Sequence, residues 1–138
     1  MDAALLRTSE TALAEMLVKS GVELIQYRNK QGSSRHLFQV SRSLVVLLNP
    51  YGVRLIVNDR PDVAALAEAG GVHVGQEDLG VEEARAICGA ERWVGVSTHI
   101  LEQVEEADKT SADYVAVDRK STRLNSSHIQ KSRMPSSA

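Results

Sequence analysis

Residues 55–79, LIVNDRPDVAALAEAGGVHVGQEDL, form the stretch that decides the fold. Its apolar run at 55–57 predicts a short buried strand, and Pro61, whose fixed φ suits a first helical turn, predicts a helix after it. Two glycines at 70–71 are expected to end that helix, and the apolar residues 72–74 predict a second strand. This order predicts a β-α-β unit whose two strands are parallel.

An aspartate stands just after each strand of this unit, Asp59 after the first and Asp78 after the second. Parallel strands bring the loops that follow them to one rim of the sheet, where α/β proteins bind their ligands. Two aspartates on neighbouring loops could therefore share a hard cation such as Mg²⁺. The alternative is that each carboxylate caps the helix that follows it, and these two residues alone do not choose between the possibilities.

The same alternation of strand and helix extends along most of the chain. Further strands are predicted at 22–27, 93–96 and 113–117, and further helices at 8–20, 35–48, 81–87 and 100–107. Five strands that alternate with helices predict an α/β domain with a parallel sheet. The pattern alone allows both an open doubly wound sheet and a slice of a (β/α)₈ barrel. The 138 residues make one domain, but a closed eight-stranded barrel needs roughly 200 residues or more.

The composition excludes several classes of protein. The hydrophobic fraction of 43% and the charged fraction of 25% are ordinary for a globular domain, and no run of 18 apolar residues predicts a membrane span. The first residues show no basic-then-apolar secretion signal, and Cys88 is the sole cysteine, so no internal disulfide can form. A cytoplasmic protein without a membrane partner is expected. Residues 1–117 hold 17 acidic and 11 basic side chains, which argues against nucleic acid as a partner.

The composition changes at Asp118. Residues 118–138, DRKSTRLNSSHIQKSRMPSSA, contain six serines and five basic residues with almost no apolar periodicity, which predicts a disordered tail. The segment DRKSTRLNSSH also resembles the translation of a common sequencing-library adapter. We therefore divide the chain into a domain at 1–117 and an artefactual tail at 118–138, and we exclude the tail from fold reasoning.

Polar residues also follow the other predicted strands. Gln26, Arg28 and Lys30 alternate after the first strand, Asn58 precedes Asp59, and Ser97 follows the fourth strand. Two cations and an amide can hold a diphosphate, with Arg as a bidentate donor and Lys as a point charge. Basic groups that face a carboxylate-bound metal are how a site handles a polyphosphate leaving group.

Four motifs carry a family resemblance. QYRNK at 26–30, NDRPDVA at 58–64, GVHVGQEDL at 71–79 and GVSTH at 95–99 resemble thiamine phosphate synthase, also called thiamine-phosphate pyrophosphorylase. The order and spacing of the motifs also match that family, whose fold is a (β/α)₈ TIM barrel. The resemblance covers about residues 3–117 and implies an incomplete barrel with about five of the eight strands.

The resemblance also implies a reaction, in which the family joins hydroxymethylpyrimidine diphosphate to a thiazole phosphate and releases thiamine phosphate and pyrophosphate. It implies that the diphosphate is bound by Gln26, Arg28 and Lys30 with Asn58 nearby, and that Ser97 contacts the pyrimidine. It implies Mg²⁺ as the cofactor and Asp59 and Asp78 as its ligands. These small molecules are the expected partners. The implied reaction requires no side-chain nucleophile, which suits a rim where no Ser-His or Cys-His arrangement is expected.

The chain departs from the family pattern at both ends. The family's first strand is absent or reduced to Met1 and Asp2, and its last strands are missing. Where the family continues with a glycine-proline segment and a threonine-rich turn ending in lysine, this chain has Asp118-Arg119-Lys120, and Lys120 is not matched to that lysine. An unclosed barrel has two open sheet edges, which predicts self-association, low stability and impaired turnover.

Two other functions remain open from the sequence. One is the thiazole tautomerase, a paralogue on the same barrel that does not need the metal site. The other is a non-enzymatic, flavodoxin-like phosphate-binding module with five strands. A fragment without any function is a third possibility.

Overall fold

The computed structural model describes residues 1–118 and a short strand at 127–129. The helices of this part of the chain are α1 (Glu10–Lys19), α2 (Ser34–Leu48), α3 (Pro61–Ala67), α4 (Val81–Cys88) and α5 (Leu101–Asp108). The strands are β1 (Leu24–Tyr27), β2 (Arg54–Asn58), β3 (Gly71–Val74), β4 (Trp93–Thr98), β5 (Tyr114–Val117) and β6 (Ser127–Ile129). Two short 3₁₀ helices occur at Ala3–Leu5 and Asn49–Tyr51. None of the helices in the described residues combines the length and the apolar character that crossing a membrane would require.

The strands β1 to β5 form a parallel sheet in which each strand lies beside the next one in the sequence. Helices α1 to α4 also contact one another in sequence order, which places them together on one face of the sheet. A doubly wound sheet would instead reverse its strand order and carry helices on both faces. The architecture is therefore a curled α/β half-barrel, and the flavodoxin-like alternative is wrong.

Alternation along the strands separates an outer face from a concave face. The outward residues Ile25, Leu55, Val57, Val72 and Val94 are buried beneath the helices. The helices contribute apolar side chains to the same layer. These side chains are Leu37, Leu44, Val45 and Leu48 of α2, Val63 and Ala64 of α3, and Val81 and Ala84 of α4. Burial of this apolar layer is the main stabilising contribution to the half-barrel.

Both edges of the parallel sheet are covered over a short length. On one side Asp2 pairs in parallel with Arg28, and Ala3 N–H donates to the Arg28 carbonyl oxygen at 2.8 Å. Of the two alternatives that the sequence leaves open, this pairing corresponds to a first strand reduced to Met1 and Asp2. On the other side β6 pairs antiparallel with β5, and no strand is predicted there from the sequence. Whether the edges cause self-association stays a prediction.

The predicted tail is described only in part. Asp118 donates its N–H to the Thr98 carbonyl oxygen at 2.8 Å, and β6 follows at 127–129. Residues 119–126 and 130–138 lie outside the described residues. The predicted disorder and the artefactual origin of 118–138 therefore stay predictions.

The end of α3 differs from the expectation. The residue that leaves the helix is Glu68, which adopts the left-handed conformation with φ 61°, and the two glycines after it do not cap the helix. Gly71 is instead the first residue of β3. A Cβ there would lie 2.5 Å from the Trp93 carbonyl oxygen of β4. The glycine is required because the neighbouring strand approaches so closely, and not because a helix ends.

Replacing Gly71 with alanine should therefore destabilise the fold. Because the obstructing atom belongs to the backbone of β4, the strands must separate, and we expect the free energy of unfolding to fall by about 1–3 kcal/mol. Gly80→Ala is the matched control, since the nearest atom to its new methyl is the movable Glu83 carboxylate. Thermal and urea unfolding of both variants measure the difference. Equal stabilities would contradict the close approach of β3 and β4.

Candidate active site at the carboxyl rim

The carboxyl ends of β2 and β3 bring the two predicted metal ligands together. Asp59 and Asp78 lie within hydrogen-bonding reach of each other, and Lys30 forms an ion pair with Asp59 at 2.5 Å. The Asp78 carboxylate also accepts the Gly75 N–H at 2.7 Å. Burial, and then the neighbouring Asp59 carboxyl, raise the pKa of Asp78, while the Gly75 N–H and Lys30 act in the opposite direction. Two carboxylates thus face one ammonium at a partly buried position.

The capping alternative for these aspartates is wrong. The residue before α3 is Arg60 and the residue before α4 is Gly80, and neither helix receives a hydrogen bond from a capping side chain. Asp59 has φ 72°, a conformation that costs a non-glycine residue energy and concentrates at functional sites. Its N–H donates to the His73 carbonyl oxygen at 2.7 Å, which ties the loop after β2 to β3.

The residues predicted to bind a diphosphate are divided among different partners. Gln26 donates to the Asn58 side-chain oxygen at 3.2 Å across the first two strands. Arg28 is bound to Asp2 at 2.6 Å, whereas Lys30 is bound to Asp59. No role is predicted for Asp2 from the sequence, because its contact with Arg28 depends on the pairing of the first residues with β1.

A cavity of about 340 Å³ opens on the concave face below this rim. Leu24 and Trp93, at the amino ends of their strands, give it an apolar floor, while Gln26, Asn58 and Ser97 line it closer to the rim. A cavity that combines apolar walls with a few amide and hydroxyl groups suits a planar polar ring.

Ser97 belongs to a hydrogen-bonded row that crosses three strands. His73 Nε2 lies 2.6 Å from Ser97 Oγ, and His73 Nδ1 lies 2.9 Å from the Tyr114 hydroxyl. The expectation that the rim holds no Ser-His arrangement is therefore wrong. His73 sits inside β3 between two valines, so only the alternation of the strand could have indicated that its ring faces the cavity.

The side chain of Thr98, the residue after Ser97, does not line the cavity. Thr98 is fully buried and donates to the Ala116 carbonyl oxygen at 2.9 Å. Neither Ser97 nor Thr98 caps the next helix, because α5 has Ile100 at its cap and receives no side-chain hydrogen bond there.

The donor set at the rim fits one cation better than a closed protein cage. No group of three or more His, Cys, Asp or Glu side chains within residues 1–118 is arranged to hold a metal. Two carboxylates and room for outside oxygens are the arrangement that Mg²⁺ uses when a substrate phosphate and waters complete its shell. The raised pKa of Asp78 gives the same indication, since a divalent cation would relieve the repulsion that contributes to it.

Two relatives in sequence share this region. A thiamine-phosphate synthase of Koribacter versatilis is 50% identical over 107 residues, which make up 78% of this chain and 50% of that protein. A thiamine-phosphate synthase of Halalkalibacterium halodurans is 42% identical over 106 residues, again 50% of its length. The chain thus spans about half the length of the relatives that it matches.

A solved structure also resembles this chain. The thiamine phosphate pyrophosphorylase from Pyrococcus furiosus superimposes with a TM-score of 0.78 at 31% identity, covering 84% of this chain and 56% of the other. The family model described as thiamine monophosphate synthase matches residues 1–122. The chain therefore belongs to the thiamine monophosphate synthase family.

Proposed function

We propose that this chain carries the diphosphate and pyrimidine half of a thiamine phosphate synthase site. The proposed reaction is the Mg²⁺-dependent condensation of hydroxymethylpyrimidine diphosphate with a thiazole phosphate, which yields thiamine phosphate and pyrophosphate. The proposal includes a complete (β/α)₈ barrel for the full-length relatives, of which this chain contributes the first strands. The observation that carries it is the contact among Asp59, Asp78 and Lys30 at the rim.

The rim residues have distinct roles in this proposal. Asp59 and Asp78 would hold Mg²⁺, which when bound supplies positive charge against the negative charge that builds on a leaving diphosphate. Arg28 and Lys30 would bind the outer diphosphate oxygens. Each is held by an aspartate in the free chain, so binding exchanges a carboxylate partner for a phosphate partner.

The cavity residues orient the organic part of the substrate. Gln26 and Asn58 present amide groups above the apolar floor, and Ser97 presents a hydroxyl to the same space. When the bond to the diphosphate breaks, the electron-rich pyrimidine carries the positive charge, and the thiazole nitrogen is the nucleophile. No covalent bond to the protein is needed, so binding and electrostatic stabilisation are the protein's contribution.

The carboxylate pair also separates this function from the thiazole tautomerase. That alternative does not use a metal and gives no role to two neighbouring carboxylates at the rim. The retained Asp59, Asp78 and Lys30 therefore favour the synthase half-site.

Calorimetric titration of the full chain with hydroxymethylpyrimidine diphosphate tests the proposal. We expect binding that requires Mg²⁺, and we expect Asp59→Asn and Asp78→Asn each to weaken it by about a hundredfold or more, because each removes a metal ligand. Asp62→Asn is the matched control, since Asp62 belongs to the same segment as Asp59 yet binds Arg60 through both of its carboxylate oxygens. Binding of equal strength with and without Mg²⁺ in a folded sample would contradict the proposal.

The metal-free chain should gain stability when Asp78 is replaced by asparagine. Folding raises the pKa of Asp78, so ionisation of this carboxyl is harder in the folded state than in the unfolded state. The resulting cost in folding free energy is absent below the unfolded pKa and is fully present once the pH has risen through the folded pKa. Asparagine removes the charge and can still accept the Gly75 N–H.

Thermal unfolding in a chelator measures this effect. We expect Asp78→Asn to melt above the unsubstituted chain at neutral pH, and the difference to shrink toward acid pH. Adding Mg²⁺ with inorganic pyrophosphate should stabilise the unsubstituted chain alone. A variant that melts lower at neutral pH in the chelator would show that the carboxylate pair is not repulsive.

A further inference from the structure

Three hydrogen-bonded side chains line the cavity, and two of them have no role in the proposed half-site. His73 is buried in β3, Tyr114 begins β5, and Ser97 is closer to the rim on β4. The Tyr114 hydroxyl meets His73 Nδ1 at 2.9 Å, and Ser97 Oγ meets His73 Nε2 at 2.6 Å.

A glycine makes this row possible. Gly95 of β4 is paired with His73 on one side and with Tyr114 on the other. A Cβ on Gly95 would overlap the Tyr114 ring, so the phenol occupies the space that a side chain would take. Tyr114 can therefore reach across β4 to the imidazole, and the two ring centroids lie 5.5 Å apart.

The row has the connectivity of a serine-histidine catalytic pair with an orienting third group, yet the third group is a phenol. In such a pair the orienting group accepts the proton of Nδ1, which leaves Nε2 able to take the serine proton. A phenol is a strong donor and a weak acceptor, because its oxygen lone pairs are delocalised into the ring. Burial, and then the neighbouring Asp113, raise the pKa of Tyr114, so this hydroxyl keeps its proton.

We propose that Tyr114 and His73 are positioning residues that fix Ser97 as a hydrogen-bond donor to the ligand in the cavity. Tyr114 donates to His73 Nδ1, and His73 donates from Nε2 to Ser97 Oγ. Because that oxygen then accepts from the histidine, its own proton points into the cavity. The ligand group that it recognises is an acceptor atom, such as a ring nitrogen, of a planar heteroaromatic ring.

The identity of this ring as a pyrimidine rests on the proposed function, whereas the direction of the hydrogen bonds does not. Ser97 is also excluded as a nucleophile by the same arrangement, since a protonated Nε2 cannot accept the proton of the serine. The row therefore recognises a ring and does not attack it.

The tautomer of His73 in the ligand-free chain is the first readout. Nitrogen NMR distinguishes the protonated from the unprotonated ring nitrogen, and we expect the proton on Nε2 at about pH 8, above the usual histidine pKa. Tyr114→Phe keeps the ring over Gly95 but removes the donor, so the proton should shift toward Nδ1. Tyr27→Phe is the matched control, because this hydroxyl bonds Glu10 and Asn29 on the outer face.

The second readout is calorimetric binding of two probes in the presence of Mg²⁺. Tyr114→Phe should weaken the binding of hydroxymethylpyrimidine diphosphate by about tenfold, as expected for one hydrogen bond, and leave that of inorganic pyrophosphate unchanged. Thermal unfolding confirms that both tyrosine variants are folded.

The outcomes separate this inference from the proposed function. A proton on Nδ1 in the unsubstituted chain, protons on both nitrogens, or a tautomer that Tyr114→Phe leaves unchanged would each overturn the inference, whatever binds. Failure of both probes to bind the unsubstituted chain would overturn the proposed function, while the tautomer result would still decide the direction of the hydrogen bonds.

Discussion

The parallel pairing of β2 with β3 is the constraint on which the rim depends. Asn58 pairs with His73 in the sheet register, and the Asp59 N–H donates to the His73 carbonyl oxygen. The carboxyl ends of β2 and β3 therefore lie side by side. The carboxylates of Asp59 and Asp78 consequently meet, although each would be better solvated apart. Lys30 offsets only part of the repulsion. Burial and the neighbouring Asp59 carboxyl raise the pKa of Asp78, and a cation between the two carboxylates would favour their charged forms.

The rim and the concave face of the sheet carry different kinds of side chain and have different proposed tasks. Charged side chains stand on the loops at the rim, where they can exchange protein partners for phosphate and metal. Below them Ser97, His73 and Tyr114 form a directional row on the concave face, held by the close approach of Tyr114 to Gly95. Charge recognition and ring recognition are thus built from different elements, and a variant can affect one without the other.

The sequence predicts the elements and the strand ends well, because both follow from local patterns. Five apolar runs predict the five parallel strands, and the rule that ligands bind at strand ends picks out Asp59 and Asp78 before any geometry is known. Contacts across strands are harder to predict. The ion pair between Arg28 and Asp2 and the hydrogen bond between Tyr114 and His73 depend on which strands pair and in what register. Gly71 shows a second difficulty. It is a glycine because a neighbouring strand lies close to it, but in the local sequence such a glycine looks like the end of a helix.

In the proposed function, the carboxylates of Asp59 and Asp78 form one shared cation site at the rim. The most direct test is a crystal structure of the chain grown with Mn²⁺, which replaces Mg²⁺ and scatters anomalously, together with inorganic pyrophosphate. If Asp59 and Asp78 share the cation, we expect one anomalous peak at about 2.0–2.2 Å from oxygens of both residues, with pyrophosphate oxygens completing the shell. Pyrophosphate bound by Arg28 and Lys30 with no metal between the aspartates, or a metal at another place, would contradict it.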